Sequence, residues 1–266
     1  MNKSTFNILV ALQLIRRDLL VIIKNRLFDD LIDTTLVTFL FNFIFGYLSP
    51  LMGIDKNLIA ATFLGSFTGS IVFICFSRAL NDLADLEMNK FIDYRRTLPF
   101  SSRWFLTTQV ISYALHCLIT TLPVLIIGIL LLKNRLDFSH ANWALFSILY
   151  INVIMLIASF FSCLVFTSSF AWFKFNVWQR ILSPLLLLGC SFFSWKKAYL
   201  FSPIFAQSLL INPMTYCIEG LRSGLFGSIL FLPVSLCFPV VALVCGILFG
   251  TLLTLILKNL DWVKES

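Results

Sequence analysis

The chain has 266 residues, of which 59% are hydrophobic and only 12% are charged, and its mean hydropathy is +0.93. A soluble domain would carry roughly 25% charged residues, so this composition excludes an ordinary water-soluble protein and indicates an integral membrane protein. Because each helical crossing of a bilayer needs about 20 apolar residues, the chain has room for six crossings. It has no room for a soluble catalytic domain of about 100 residues beside them.

The N-terminal stretch, residues 1–30, mixes charged with apolar residues and lacks the small-residue cleavage site of a secretory signal. At about 100° per residue, four of its polar side chains fall within an arc of about 100°: Gln13, Arg16, Arg17 and Lys24. This pattern predicts an amphipathic interface helix that lies on the cytoplasmic surface before the first crossing. The alternative is a partly disordered leader.

Uncharged runs define the crossings, because a charged residue at the centre of a membrane helix costs about 2.5–3.5 kcal/mol. Six crossings are predicted, within residues 34–54, 57–77, 104–132, 138–173, 181–195 and 223–257. The fifth run is short unless residues 175–179 extend it inward. Between the last two crossings, Pro203 and Pro213 predict broken helices rather than a span. Since irregular backbone at membrane depth must be shielded by protein or line a cavity, we expect an outer re-entrant segment over residues 196–227.

The predicted fold is therefore a single all-α transmembrane domain over residues 1–266, with six transmembrane helices, the interface helix and the broken outer helices. With both termini in the cytoplasm, most of the 20 Lys and Arg residues lie inside, and only six lie outside: Lys56, Lys133, Arg135, Lys196, Lys197 and Arg222. The positive-inside rule favours this orientation. The net charge of +7 follows from this topology, so no nucleic-acid partner is expected.

The longest inner segment, residues 78–103, carries five basic and four acidic residues. Asp82, Asp85 and Asn89 fall on one helical face, and Pro99 ends the helical pattern. Such a mixed-charge helical hairpin suits docking to a soluble partner protein. A merely solvated loop is the alternative.

A second informative stretch, NPMTYCIEGLRSGLFG, begins at Asn212. Asn212 fits the N-cap of a short helix, Pro213 fits its first position and Gly227 fits its end. Glu219 and Arg222 are three residues apart and are placed to pair, which makes both charges tolerable close to the bilayer.

Two motifs of the chain match one family. The outer motif comprises Asn212, Pro213, Tyr216, Glu219, Arg222 and Gly227, and the inner motif is DLEMNKFIDYRRTLPFSS at residues 85–102. In this order, and on these sides of the membrane, the motifs resemble the membrane subunits of type-2 ABC exporters. That family exports polysaccharides, lipooligosaccharides, teichoic acids and drugs, and the resemblance covers most of the chain.

The resemblance implies a transporter permease rather than an enzyme, working as a dimer, here expected to be a homodimer, in the cytoplasmic membrane of a bacterium. Two separate ABC ATPase subunits would bind its cytoplasmic face. None of the eleven glycines is followed by lysine, so the chain lacks a Gly-Lys-Ser/Thr phosphate loop. We therefore expect ATP and magnesium on the partner subunit, and no cofactor or metal on this chain. The cargo would be a lipid-linked glycan or another amphiphile, such as a lipid or a drug, taken from among the membrane lipids.

By the same resemblance, the inner segment would couple the permease to its ATPase. The candidate coupling residues are Arg78, Asp82, Asp85, Glu87, Arg95 and Arg96. The broken outer helices would form the outer gate, with the six residues of the outer motif as its candidates.

Two other function classes stay open at this point. The segment around Asp82 and Asp85 also resembles the first magnesium–diphosphate motif of intramembrane prenyltransferases, in which clustered aspartates hold metal ions. Against that enzyme, no Asp lies between Asp137 and Asp261 to supply a second cluster. A proton-coupled carrier is the third class, and crossings one to four as drawn contain no acidic residue to carry the proton.

Several residues inside the crossings are interpreted as helix-packing groups. Four are polar: Asn42, Gln109, His116 and Asn152. Two glycine pairs, Gly65 with Gly69 and Gly246 with Gly250, have the small-xxx-small spacing that allows close helix contact within the chain or across a dimer.

Overall fold

A computed structural model of the chain describes residues 3–48, 57–88, 102–227 and 231–261. These residues are almost entirely helical and contain no strand. The α-helices are α1 (Lys3–Asn25), α2 (Leu27–Phe43), α3 (Asn57–Met88), α4 (Ser102–Leu132), α5 (Trp143–Thr167), α6 (Phe170–Trp172), α7 (Ser183–Leu188), α8 (Trp195–Phe201), α9 (Pro203–Leu209), α10 (Pro213–Phe226) and α11 (Val234–Asp261). Two π-helical segments complete them, Ile44–Leu48 after α2 and Phe173–Leu182 between α6 and α7.

Five helical stretches of the described residues are long and apolar enough to cross a bilayer. They are Leu27–Leu48, Ile59–Leu86, Trp104–Leu132, Trp143–Thr167 and Val234–Thr254. The third stretch coincides with the predicted crossing 104–132, and the fourth lies within the predicted run 138–173. The chain is thus a helical, multi-pass membrane protein.

The first predicted crossing belongs to a helix that is longer than its uncharged run. Helix α2 begins at Leu27, seven residues before the uncharged run that starts at residue 34. Within this extension the Asp30 carboxylate has a partner, His116 Nε2, at 2.9 Å. A charged side chain that finds a polar partner inside the bundle is tolerated where an isolated charge is not.

The second predicted crossing also belongs to a helix that is longer than its uncharged run. Helix α3 continues past Arg78 as far as Met88, and the Arg78 guanidinium donates to the Ser112 carbonyl at 3.0 Å. Residues 78–88 of the predicted inner segment 78–103 therefore continue the helix of the second crossing. Residues 89–101 lie outside the described part of the chain.

The last two crossings also differ from the prediction. Residues 170–188, which include Lys174 and Arg180, form α6, the second π-helical segment and α7, and they are not among the five long apolar stretches. The last crossing begins at Val234 rather than at residue 223. Gly227 ends α10 with a φ of 79°, in the left-handed region that favours glycine, so α10 and α11 are separate helices.

The core is centred on α5, which contacts α3, α4, α10 and α11 and is buried along most of its length. Helices α2 and α11 lie at the periphery, where only 22% of Leu27–Leu48 and 17% of Val234–Thr254 is buried. These two helices therefore present most of their apolar side chains to lipid or to another protein chain.

Close packing at Gly65 joins α3 to the segment that follows α7. A Cβ atom at Gly65 would overlap the main chain of Ser191, whereas a Cβ at Gly69, one turn further along, meets nothing within 4 Å. A Cβ atom at Gly246 or Gly250 on α11 also meets nothing within 4 Å. Among the residues that the structure describes, Gly65 is thus the one member of the two predicted glycine pairs that makes a close contact.

Replacing Gly65 by alanine should destabilise the fold, because the α3 backbone must move away from Ser191. Overpacking of this kind costs typically about 1–3 kcal/mol. Gly69→Ala is the matched control, since it adds the same methyl group to the same helix in open space. Thermal unfolding of the detergent-solubilised protein would show a lower midpoint for Gly65→Ala and an unchanged or higher one for Gly69→Ala. Equal midpoints would contradict the packing described here.

Candidate functional site

One face of α4 carries four polar side chains, which we call the α4 polar stripe: Gln109, Ser112, Tyr113 and His116. Their spacing of three, four and seven residues places them together along the helix. All four are buried, and buried polar groups need hydrogen-bond partners. The partners come from three other helices.

Two carboxylates, from α3 and α2, meet this stripe directly. Asp82 Oδ2 accepts hydrogen bonds from Gln109 Nε2 and from Tyr113 Oη, each at 2.7 Å. Asp30 Oδ2 lies 2.9 Å from His116 Nε2. Each of these contacts fixes the position of one neighbouring helix against α4.

Ser112 joins α1 and α3 to the same stripe. Its hydroxyl donates to Asp18 Oδ2 at 3.2 Å, and Asp18 also pairs with Arg17 at 3.1 Å. Arg78 donates to the Ser112 carbonyl at 3.0 Å and to its hydroxyl at 2.9 Å. The Arg78 guanidinium also lies 4.7 Å from the centre of the Tyr113 ring, a cation–π distance.

Between α1, α2, α3 and α4 lies a cavity of about 370 Å³, which we call the inner polar cavity after the predicted inner segment that lines it. Three guanidinium groups line it, those of Arg17, Arg26 and Arg78. Four carboxylates also line it, those of Asp18, Asp30, Asp82 and Asp85. Charges within a membrane bundle must be paired or solvated and often mark functional sites, so this cavity is a candidate site.

The structure brings together half of the candidate coupling residues. Arg78, Asp82 and Asp85 are spaced by four and three residues on α3, so they share one helical face. All three line the inner polar cavity. Glu87 belongs to the last turn of α3, while Arg95 and Arg96 lie outside the described residues. The alternative of a merely solvated loop fails for Arg78 and Asp82, which α4 holds inside the bundle. Their role in coupling stays a prediction.

Asp18 and Asp30 were not predicted as site residues. The sequence did indicate that such partners exist, because the four polar residues of α4 share a face and a buried polar face requires partners on neighbouring helices. The premise used against a proton-coupled carrier applies only to the crossings as drawn. The helical stretches that contain the first two crossings extend further and include Asp30 and Asp82.

The four polar residues interpreted as packing groups behave differently from one another. Gln109 and His116 connect helices, as that interpretation requires. Asn152 instead donates to the carbonyl of Ile148 in its own helix at 3.1 Å. The Asn42 side-chain nitrogen is buried and has no hydrogen-bond partner among the described residues.

At the opposite end of the bundle, Glu219 and Arg222 form a completely buried ion pair, which we call the outer ion pair after the predicted outer motif that contains it. Arg222 Nη1 lies 2.9 Å from Glu219 Oε1, and both side chains have an exposed fraction of 0%. Arg222 also donates to three main-chain carbonyls: those of Phe193 at 3.0 Å, Ser191 at 2.9 Å and Ala61.

The carboxylate of the outer ion pair binds two further main-chain groups. Glu219 Oε1 accepts from the N–H of Trp195 at 3.2 Å, and Oε2 accepts from that of Leu232 at 3.1 Å. The pair therefore ties α10 to α3, to the segment between α7 and α8 and to the residues that lead into α11. Four segments of the chain meet at these two side chains.

The ends of α10 form as the sequence predicts. Asn212 Oδ1 accepts from the N–H of Met214 at 3.0 Å, and its side-chain nitrogen donates to the Leu185 carbonyl at 2.7 Å. Pro213 occupies the first turn, and Gly227 follows the last. This helix thus begins and ends at the residues that its motif indicates.

The six candidate gate residues divide by what they contact. Glu219 and Arg222 meet each other, whereas Asn212, Pro213 and Gly227 shape the helix ends. Tyr216 is half-buried and packs against the hydrophobic core. The structure thus gives these residues positions, and their role as a gate stays a prediction.

A second cavity, of about 500 Å³, lies between α2, α3, the π-helical segment Phe173–Leu182 and α7; we call it the apolar groove. Its walls are mainly apolar and aromatic: Leu36, Val37, Phe41, Phe73, Trp178, Leu186, Leu187 and Phe192. A few hydroxyl groups, including those of Ser66 and Ser70, and the carboxylate of Asp33 also line it. Sequence analysis did not locate this groove, because its walls come from segments far apart in the chain.

These features define a helical multi-pass membrane protein with charged networks at both ends and an apolar groove beside a peripheral helix. The chain matches the family model of the ABC-2 type transporter over residues 11–226. Since the match covers most of the chain, the protein belongs to the ABC-2 type transporter family, and the resemblance inferred from the two motifs is confirmed. Searches of curated proteins and of solved structures give no match.

Family membership makes this chain a membrane component of a transporter. The prenyltransferase interpretation loses its basis, because the match includes Asp82 and Asp85 in a transporter domain. The structure adds that Asp82 is engaged by Gln109 and Tyr113.

Replacing Glu219 by alanine should strongly destabilise the outer end of the bundle. Removing one partner of a buried ion pair costs about 3–5 kcal/mol, because the other charge is left buried and uncompensated. Thermal unfolding in detergent and the yield of monodisperse protein would measure the loss.

The control is the double variant Glu219→Ala with Arg222→Met, which removes both charges. It should recover part of the lost stability, because no unpaired charge remains. A double variant no more stable than Glu219→Ala alone would contradict the view that the stranded arginine causes the defect.

Proposed function

We propose that this protein is the permease subunit of an ATP-driven exporter that moves an amphiphile, most simply a lipid-linked glycan, out of the cytoplasm of a bacterium. A lipid or an amphiphilic drug is the other cargo of the same class. The observation that carries the proposal is the apolar groove, which is open at the periphery of the bundle.

The size and chemistry of the groove suit the lipid portion of such a cargo. Its volume of about 500 Å³ falls within the range of about 300–1,000 Å³ typical of small-molecule sites. Its walls are mainly apolar, with a few hydroxyls and a single carboxylate, that of Asp33, and such walls favour an acyl or prenyl chain over a sugar. One wall is α2, whose apolar side chains Leu36 and Val37 are also exposed, so an amphiphile would enter sideways from the bilayer.

We infer a six-crossing topology with both termini in the cytoplasm. In this arrangement residues 170–188 form a short fifth crossing, and α8 and α9 form the outer re-entrant segment. The exposed apolar side chains of these two helices support contact with lipid: Leu200, Phe201 and Ile204 are 82–89% exposed. Large exposed apolar groups of this kind mark contacts with membranes or other proteins.

The partners follow from the same proposal. A second copy of this permease would complete the export path, and α2 and α11 are the membrane-spanning helices with the most uncovered apolar surface. ATPase subunits on the cytoplasmic face would bind ATP and magnesium and would contact the inner end of α3. This chain itself would hold no cofactor.

Photocrosslinking in the native membrane tests the cargo class directly. A benzophenone amino acid at position 37, in the groove, should capture the cargo amphiphile, whose mass identifies it. The matched control is the same probe in place of Leu243, which is exposed on α11 away from the groove, with 62% exposure against 46% for Val37. The proposal fails if both positions capture only the same bulk phospholipids.

Charge reversal tests the coupling residues. The double variant Asp85→Lys with Glu87→Lys should lose the co-purifying ATPase subunit, or lose stimulation of its ATP hydrolysis, while the permease stays folded. Co-purification followed by an ATPase assay in proteoliposomes would measure both.

The control for this reversal is Asp137→Lys in the exposed loop after α4. The main-chain N–H of Ser139 donates to Asp137 at 2.9 Å, and this hydrogen bond lowers the pKa of Asp137, so the control removes a group that is charged at neutral pH. Normal complex formation and stimulation in the double variant would show that the inner end of α3 does not couple to the ATPase.

A further inference from the structure

We propose that the inner polar cavity binds the phosphoethanolamine headgroup of a phospholipid from the inner leaflet. This inference rests on one part of the proposed function, the topology with a cytoplasmic N-terminus, and on the predicted position of α1 along the cytoplasmic surface. It does not depend on the cargo, on the ATPase or on the outer gate.

The cavity lies at the depth of lipid headgroups because α1 forms one of its walls. Helix α1 buries Ala11, Leu14 and Asp18 against the bundle. Away from the bundle, Leu9 and Leu12 are 51% and 58% exposed. An amphipathic helix with uncovered apolar side chains rests at the boundary between headgroups and acyl chains.

The charges that are left available in the cavity have opposite signs. Asp30 and Asp82 are already engaged by the α4 polar stripe, and Arg78 is engaged by Ser112. Arg26 and Asp85 line the cavity as well, and neither side chain forms a hydrogen bond or ion pair with any residue the structure describes. Within the described part of the chain, the cavity therefore offers an available cation on the turn between α1 and α2 and an available anion on α3.

A zwitterionic headgroup matches this pair of charges. Its phosphate oxygens would accept from the Arg26 guanidinium, and its ammonium group would donate to the Asp85 carboxylate. Basic pockets between membrane helices on the cytoplasmic side bind lipid headgroups. Because carboxylates outnumber guanidinium groups among the residues that line this cavity, a purely anionic headgroup would be repelled by Asp85, whereas phosphoethanolamine would satisfy both residues.

The cavity has space for the headgroup and an exit for the acyl chains. Its volume of about 370 Å³ exceeds that of a single phosphate or ammonium group by a wide margin. Val21 and Ile22 of α1 also line it, and Val21 is 52% exposed. The chains would therefore leave the cavity over Val21 and follow the apolar surface of α1 into the leaflet.

The test is native mass spectrometry of the purified, delipidated permease titrated with phosphatidylethanolamine or phosphatidylglycerol of the same acyl chains. We expect the wild type to bind phosphatidylethanolamine preferentially. Arg26→Ala should weaken that binding about tenfold, the usual effect of losing one hydrogen bond to a charged group. Asp85→Asn should abolish the preference by raising phosphatidylglycerol binding.

The matched control is Lys24→Ala, which removes an exposed cation two residues from Arg26 that does not line the cavity. It should leave binding unchanged, and the melting midpoint of each variant reports that it is folded. Equal loss in Lys24→Ala and Arg26→Ala, or equal wild-type binding of both lipids, would overturn the proposal. Soluble glycerophosphoethanolamine is the last arm: if it binds as tightly as the lipid, the site is one for a free metabolite, and the lipid proposal is wrong.

Discussion

The outer end of this permease depends on two charges that have no contact with water. Burying an ion in a protein costs several kcal/mol even after relaxation, and a buried pair is tolerated only when further hydrogen bonds satisfy both partners. Here three carbonyls surround the Arg222 guanidinium, and two main-chain N–H groups reach the Glu219 carboxylate. Because these five groups belong to three other segments of the chain, satisfying the charges also determines how the segments are arranged.

At the inner end of the bundle, carboxylates are stabilised mainly by hydrogen bonds rather than by a buried ion pair. There the carboxylates meet mainly neutral donors from one helix face, and Asp82 is held by an amide and a phenol. The inner polar cavity also has open space of about 370 Å³ beside these contacts, which the completely buried outer ion pair lacks. The outer network is suited to holding segments together, and the inner one is suited to responding to what binds.

The elements that could be predicted from the sequence are those whose signals are local. The N-cap at Asn212 and the glycine at position 227 define α10 through their own backbone preferences, and the uncharged run 104–132 is long enough to define α4. The helix extensions through Asp30 and Arg78 were not predictable from charge alone, because each charge is stabilised by a residue far away in the chain. The two motifs were sufficient to indicate the family.

The candidate sites also divide into contacts that follow from local sequence and contacts that depend on residues far apart in the chain. Glu219 and Arg222 are three residues apart, so their pairing follows from helical spacing alone. The partners of the α4 polar stripe come from α1, α2 and α3, and nothing in the local sequence says which acidic residue meets which donor. The apolar groove could not be predicted from the sequence for a further reason. In a chain so rich in apolar residues, composition does not distinguish a groove wall from a lipid-facing surface.

Helix α3 has a mechanical consequence that follows from its length. Its 32 residues extend about 48 Å at a rise of about 1.5 Å per residue, whereas the hydrocarbon core is about 30 Å thick. It is an unbroken rod, with the Ala61 carbonyl bound to the outer ion pair near one end and Asp85 near the other. A continuous helix of this kind moves as one rigid body. A tilt imposed at the Asp85 end therefore also displaces Ala61, because no break in the helix lies between the two residues.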